Sequence, residues 1–416
     1  MRHKVTANPH PIQAGKGPHQ VDTAYADGMK AYHAGDLSRA VERFKTVVRL
    51  APQHAGALHL LGVIAYRNGD FETAVSYIER AISVHGENHV FYSNLCAALQ
   101  MQKRLAEAER AARKALAINP DFLDAHNNLG NVLKGQGRLK AAEASYRRAL
   151  EINPDYVEAL SNLGIVLLDE GRLDESESVY RRALEISPEY VNAYCNLGNV
   201  LKRRGKLRES VAVCRRALEI QPDNAEIHNN LGTSLQRLGR MEDAVEAFQS
   251  SLNARPSYQM AHSNLLLCMN YIPRFGPSEI YEESVRWNER HAASLSEGQP
   301  AHANSRDPER RLRIGYVSPD FRTHSVSYFF EPLLSAHDRR AVEVFCYADV
   351  VRPDWTTGRL RSLSDVWRSV VGMRNDEITE QIRRDGIDIL VDLSGHTSQN
   401  RLMIFAMKPA PVQVTW

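Results

Sequence analysis

The chain has 416 residues, with 52 Lys and Arg against 50 Asp and Glu and a formal net charge of +2. So even a balance supplies no global field for a nucleic-acid partner, and 43% hydrophobic with 25% charged residues is ordinary globular composition. Five cysteines (Cys96, Cys195, Cys214, Cys268 and Cys346) make no C-x-x-C pair and no metal-like spacing, so reduced thiols in a cytoplasmic protein are expected rather than a disulfide framework or a thiolate metal site.

Residues 1–20, MRHKVTANPHPIQAGKGPHQ, are polar and rich in Pro, Gly and His. Without an apolar run they read as a disordered lead-in, neither a signal peptide nor a membrane span. From 21 to 258 the chain repeats every 34 residues. Pro52, Pro120, Pro154, Pro188, Pro222 and Pro256 mark the period, with Gly86 in the remaining place. Gly62, Gly130, Gly164, Gly198 and Gly232 stand at a second fixed position, each preceded by a leucine. A chain with such a period is an array of supersecondary units, none able to bury its apolar face alone.

Each unit reads as two helices. In 123–156, Leu129, Val132 and Leu133 follow helical spacing, and Gly135 and Gly137 break the first helix. Ala142, Tyr146, Ala149 and Leu150 line the second, and Pro154 stops it. Gly130 and Ala142 are expected where the two helices cross closely. This pattern resembles the tetratricopeptide repeat in seven units over 21–258. Cys96 and Cys214 fall in its glycine and aromatic columns and read as small core residues. Asn264 and Leu265 keep the frame for one more helix, which is expected to seal the array.

Asn94, Asn128, Asn162, Asn196, Asn230 and Asn264 form a column that helix propensity does not explain. One residue before a buried leucine, each should face the concave groove, where an amide can donate to and accept from an extended peptide backbone. The alternative is that the amides bridge neighbouring repeats.

The frame is lost after about 270. One helix is expected at 278–294, and SEGQPAHANSRDPER reads as a linker. From Leu312 the pattern changes to strands at LRIGYVS, EVFCYA (343–348), DVWRSVV (365–371), IDILVDLSG (387–395) and VQVTW (412–416), with helices near 326–336, 376–385 and 399–407. Strands alternating with helices mean a parallel sheet, whose ligands bind at the carboxyl ends of the strands. Two loops there each deliver a histidine: Ser318-Pro319-Asp320-Phe321-Arg322-Thr323-His324 and Ser394-Gly395-His396-Thr397. Imidazoles can move protons near neutral pH. Asp320 has a competing role as cap of the following helix, as do Thr397 and Ser398, and His337 reads as a helix-terminal charge. No Gly-rich phosphate loop, carboxylate pair or Cys/His metal set accompanies them, so no metal and no tightly held cofactor are expected.

The segments RIGYVSPDFRTHSVSYFFEPLL, EVFCYAD, DGIDILVDLSGHT and KPAPVQVTW, following the repeats and a linker, resemble the bacterial O-linked N-acetylglucosamine transferases and their plant SPINDLY-type relatives. The resemblance implies a repeat α-solenoid (21–258), capping helices and a linker (259–310), and the Rossmann-like N-terminal lobe of a two-lobed GT-B fold (311–416). It implies inverting, metal-independent sugar transfer, with UDP-GlcNAc the first-ranked donor, to Ser or Thr hydroxyls of cytoplasmic proteins recruited by the repeats. GDP-fucose transfer and a non-catalytic scaffold are the alternatives; no nucleic-acid or membrane partner is implied. The family's D-F-x-x-H histidine falls on His324, and His396 matches the bacterial G-H-T motif, where animal members carry tyrosine. Asp320, Gly395 and Thr397 are the donor- or acceptor-binding candidates. The family continues past PAPVQVTW into a second lobe holding most of the nucleotide pocket. The chain is accordingly expected to be a fragment that binds acceptors and turns over little donor alone.

Overall fold

The computed structural model describes residues 18–415 and divides into two compact units, 1–205 and 206–416. The first holds α1 (Pro18–His33), α2 (Leu37–Leu50), α3 (Ala55–Arg67), α4 (Phe71–Val84), α5 (His89–Met101), α6 (Leu105–Ile118), α7 (Leu123–Gly135), α8 (Leu139–Ile152), α9 (Val157–Asp169), α10 (Leu173–Ile186) and α11 (Val191–Arg203). The expected lead-in is shortened: residues 18–20 are helical, because a proline at the first helical position forgoes only a donor that would be unpaired anyway. The rest of that segment, 1–17, lies outside the described residues.

The periodic glycines are sites of close helix approach. A Cβ on Gly62 would lie 2.6 Å from Ile78, and one on Gly130 would enter the Tyr146 ring, which is fully buried. In the third unit the two columns change together: Cys96 replaces the glycine and Ala112 the aromatic, both fully buried in one cluster. Volume is thereby kept roughly constant across the crossing. Burial pushes the Cys96 thiol up to about 12, so it is an inert core atom. None of the five cysteines is in a disulfide.

A third periodic position turns each helix pair. Gly35, Gly69, Gly137, Gly171, Gly205 and Gly239 have φ between 75° and 80°, and Lys103 occupies the same place with φ 59°. Left-handed backbone costs a Cβ-bearing residue about 1 kcal/mol. Lys103→Gly is therefore expected to raise stability by about 0.5–1 kcal/mol in urea unfolding followed by circular dichroism; a loss of stability would contradict the assignment.

Ion pairs also keep the period. Glu109 accepts from Arg138 at 3.0 Å and Glu143 from Arg172 at 2.7 Å, each joining one unit to the next 29 residues on.

The second unit begins with α12 (Leu207–Ile220), α13 (Ala225–Arg237), α14 (Met241–Ala254), α15 (Gln259–Met269) and α16 (Pro277–His291), then a 3-10 turn at Ala293–Ser296. There follow β1 (Leu312–Ser318), α17 (Ser325–Ala336), β2 (Val342–Ala348), α18 (Trp355–Leu363), β3 (Val366–Ser369), α19 (Asn375–Arg384), β4 (Ile389–Asp392), α20 (Leu402–Ala406) and β5 (Val412–Thr415). All strand pairs are parallel, in the order β3-β2-β1-β4-β5. Apolar clusters cover both faces, one around Phe321, Phe330 and Leu334 and the other around Ile378, Ile382 and Ile404. This explains why β1 and β2 read as continuous apolar runs.

The linker is anchored. Asp388, 5% exposed, accepts Asn304 Nδ2 at 2.6 Å, the Arg310 guanidinium at 2.5 and 2.6 Å, and the Arg313 N–H at 2.8 Å. The chain from 304 to 310 is thus pinned to the amino-terminal rim of the sheet.

Candidate functional site

Strand order reverses between β1 and β4. The chain runs from β1 outward through β2 and β3, then crosses to β4 and β5 on the other side. Such a switch point opens a crevice beyond the carboxyl ends of the two central strands. Val317 is paired with Asp392, so the loops after β1 and β4 leave the sheet at the same edge. These are the loops that carry His324 and His396.

The β1 loop is held from below and from the side. Phe321 is fully buried and stacks on Phe330 with centroids 5.0 Å apart. Thr323 donates its N–H to Asp354 Oδ2 at 2.8 Å, and its hydroxyl meets that of Thr356 at 2.9 Å. Asp354 also caps α18 through the Thr357 N–H at 2.9 Å, and these donors hold its carboxyl below the usual range. The spacing Asp354–Thr357 is a capping-box signal, and it is what could have located α18, a helix the strand–helix pattern did not anticipate.

His324 is the residue before α17, and its Nδ1 accepts the Val326 N–H at 3.3 Å. It is the cap that Asp320 was expected to be. Asp320 instead accepts Arg322 Nη2 at 3.1 Å, with its other oxygen 3.7 Å from His324 Nδ1. A neutral His324 in this arrangement carries its proton on Nε2. Its side chain is 37% exposed.

The β4 loop turns on Asp392, 1% exposed, which sequence reasoning missed. One carboxylate oxygen accepts the Ser394 N–H at 3.1 Å; the other accepts the Gly395 N–H at 2.7 Å and the Thr415 hydroxyl at 3.0 Å. Burial raises the Asp392 pKa against those donors. Gly395 takes φ 52°, which turns the chain into His396. Thr397 does not cap a helix: its hydroxyl donates to Ser394 O at 2.7 Å, and α20 begins only at Leu402, with Gln399 at φ 62° between them. His337 is likewise no terminal charge. Its Nε2 lies 2.8 Å from the Tyr316 hydroxyl, and burial lowers its pKa.

His396 packs edge-on against Trp287 of α16 with centroids 5.1 Å apart, and its Nδ1 lies 3.1 Å from the Ser263 hydroxyl of α15. Burial, then the proximity of His262, lowers its pKa to about 4. His291 is lowered to about 4 by burial and by His262 and Arg290. For these two groups the unfolded chain, with imidazoles near 6.5, binds protons that the folded chain refuses. Their contribution to stability is therefore unpenalised above pH 6.5, falls as pH drops, and is fully lost below about 4. Urea midpoints read by tryptophan fluorescence are expected to fall between pH 7.5 and pH 5, before carboxylates such as Glu283, lowered to about 2, begin to protonate. Equal midpoints would contradict the neutral burial of these rings.

The asparagine column is engaged between repeats. Asn94 Nδ2 lies 2.8 Å from His59 Nε2, Asn128 Nδ2 donates to Ser93 Oγ at 2.9 Å, Asn162 Nδ2 to Asn127 Oδ1 at 2.9 Å, and Asn264 Nδ2 to Asn229 Oδ1 at 2.9 Å. Each partner lies 35 residues back, in the preceding unit. Asn196 and Asn230 hold the same frame position. The expectation that the amides would offer donors to a groove is corrected for these four: one N–H of each is already used.

No helix among the described residues is long and apolar enough to cross a membrane, and no cluster of His, Cys, Asp and Glu among them could hold a metal ion. Residues 293–416 match the family Glycosyl transferase family 41, and residues 25–87, 94–156, 127–191 and 189–257 match tetratricopeptide repeats. A probable UDP-N-acetylglucosamine–peptide N-acetylglucosaminyltransferase SPINDLY from Petunia hybrida is 44% identical over 155 residues, 36% of this chain and 16% of the relative. A UDP-N-acetylglucosamine–peptide N-acetylglucosaminyltransferase from Caenorhabditis elegans is 38% identical over 138 residues, 32% of this chain and 12% of the relative. The chain thus spans less than a fifth of the length of these relatives. The solved structure of a mutant Thermobaculum terrenum O-GlcNAc transferase is 41% identical with a TM-score of 0.58, covering 62% of this chain and 50% of that one. The chain is a tetratricopeptide-repeat protein, homologous to SPINDLY-type transferases, whose residues 293–416 match glycosyl transferase family 41.

Proposed function

We propose that the chain supplies the acceptor-recruiting repeats and one lobe of a protein O-glycosyltransferase that moves N-acetylglucosamine from UDP-GlcNAc to Ser or Thr hydroxyls. The observation that carries this reading is the convergence of the His324 and His396 loops on the switch-point edge of a family 41 sheet. The names of the relatives supply the donor and the peptide acceptor. In the inverting, metal-independent reaction we infer, the acceptor oxygen bonds to the anomeric carbon as the bond to the diphosphate oxygen breaks, and the hydroxyl proton is released. An imidazole bearing Nε2–H at His324 suits hydrogen bonding to an oxygen of acceptor or donor. Asp320, Gly395 and Thr397 shape the two loops around that place.

The repeats would take an extended segment of the acceptor. With their N–H groups facing the preceding unit, the Oδ1 atoms of Asn128 and Asn162 have no partner among the described residues, which supports them as acceptors for peptide N–H groups.

The test is a donor competition on the natural protein that carries these residues, with UDP-GlcNAc and GDP-fucose offered together to an acceptor protein. Attachment of N-acetylhexosamine is expected. Fucose attachment would replace the donor assignment, and no transfer with acceptor still bound would leave a scaffold.

A further inference from the structure

Ser263 sits at a column of its own. Ser93, Asn127, Ser161, Cys195, Asn229 and Ser263 recur every 34 residues. In the array this position receives the asparagine of the following unit: Asn128 reaches Ser93, Asn162 reaches Asn127, and Asn264 reaches Asn229. After α15 no further unit follows in frame, since the residue 35 beyond Ser263 is Gly298. The place where the next amide would dock is taken by His396, whose Nδ1 lies 3.1 Å from Ser263 Oγ.

The hydrogen-bond count at Ser263 then fixes a proton. A hydroxyl has two lone pairs and one hydrogen. Trp287 Nε1, which can only donate, lies 3.1 Å from Ser263 Oγ, and Gln259 Nε2 donates to the same oxygen at 3.3 Å. Both lone pairs are occupied, so the hydroxyl hydrogen is left for His396 Nδ1. Elsewhere in the column the residue accepts from its neighbour; here it donates. We propose that Ser263 is a positioning residue which holds His396 in the neutral tautomer protonated at Nε2, so that the ring meets its ligand as a hydrogen-bond donor to oxygen and not as a base. This rests on the reading of His396 as a site residue only for its consequence in catalysis; the tautomer itself does not depend on it.

Three further observations fit. The ring is partly buried against Trp287, which disfavours a charged imidazolium. Nε2 of His396 has no partner among the described residues and is not among their sealed, unsatisfied atoms, so it is open to a ligand. A second layer keeps α15 and α16 in register: His262, fully buried, joins Glu283 at 2.7 Å through Nε2 and His291 at 2.9 Å through Nδ1.

The experiment is long-range proton–nitrogen correlation spectroscopy of the chain labelled in its histidine rings, with the His396 signals assigned by their disappearance in His396→Asn. The wild type is expected to show an unprotonated Nδ1 and a protonated Nε2. Ser263→Ala should redistribute the two tautomers, and Ser263→Thr, which keeps the hydroxyl, should restore the wild-type pattern. A wild type protonated at Nδ1, or a Ser263→Ala spectrum unchanged from it, would overturn the proposal. In the natural protein, Ser263→Ala is expected to lower transfer on the order of tenfold at unchanged acceptor KM, with recovery in Ser263→Thr. Should the tautomer respond to Ser263 while His396→Asn leaves transfer intact, the positioning stands and the site reading of His396 fails.

Discussion

Replacing Asp388 with alanine is expected to destabilise the sheet-bearing unit by about 3–5 kcal/mol. The carboxylate is almost fully buried and takes four hydrogen bonds: two from the Arg310 guanidinium, one from Asn304 and one from the Arg313 backbone. These donors outweigh the cost of burying the charge and hold its pKa below the usual carboxylate range. Its contribution is therefore present above about pH 4 and lost as pH falls through the lowered folded value. Removing it strands the N–H of Arg313 in β1 and leaves the Arg310 guanidinium, only 24% exposed, without its counter-charge. Of the hydrogen bonds that tie Asn304 and Arg310 to the sheet rim, those from Asn304 to the Gly386 and Ile387 carbonyls would be left. All four tryptophans lie after residue 286, so urea unfolding followed by tryptophan fluorescence reads this part of the molecule selectively. A loss under 1 kcal/mol would mean that the linker is held by something other than Asp388.

The repeat frame was legible because its period imposes packing at fixed places. Gly62 and Gly130 are small where Ile78 and Tyr146 press against them, and that requirement shows in any single unit. Strands β1 and β2 were legible because both faces of the sheet are covered and their runs are largely apolar. The two readings of the asparagine column could not be separated in the sequence because each amide's partner lies 35 residues back, a relation that appears only when two frame positions are compared across units. Helix α18 was missed because its apolar stripe amounts to little more than Leu360, and its signal lay in the cap at Asp354. The capping role moved from Asp320 to His324 because an imidazole nitrogen can accept a backbone N–H as a carboxylate does, a use that residue preferences alone do not suggest. The placement of both candidate histidines at the carboxyl edge of a parallel sheet followed from the strand–helix pattern. The contact of His396 with Ser263 did not, since 133 residues separate them.

His324→Ala is expected to lower sugar transfer by about 100- to 10,000-fold, the range for a positioned proton donor or acceptor at a reacting oxygen. Its ring is fixed by the Val326 N–H, its loop is braced by Asp354 and Phe321, and it stands at the switch point between β1 and β4. Loss of the cap adds at most about 1–2 kcal/mol of helix destabilisation, so the folded protein should survive the change. His324→Asn, which retains a side-chain acceptor for the cap, separates that structural cost from the chemistry. The most direct measurement is the single-turnover rate of N-acetylhexosamine transfer to an acceptor protein, read by mass spectrometry, for the natural protein that carries these residues and for its His324→Ala and His324→Asn forms. A rate reduced at least a hundredfold in both variants, with acceptor binding intact, is the predicted result. Transfer at the wild-type rate in either would contradict the placement of the reaction at this edge of the sheet.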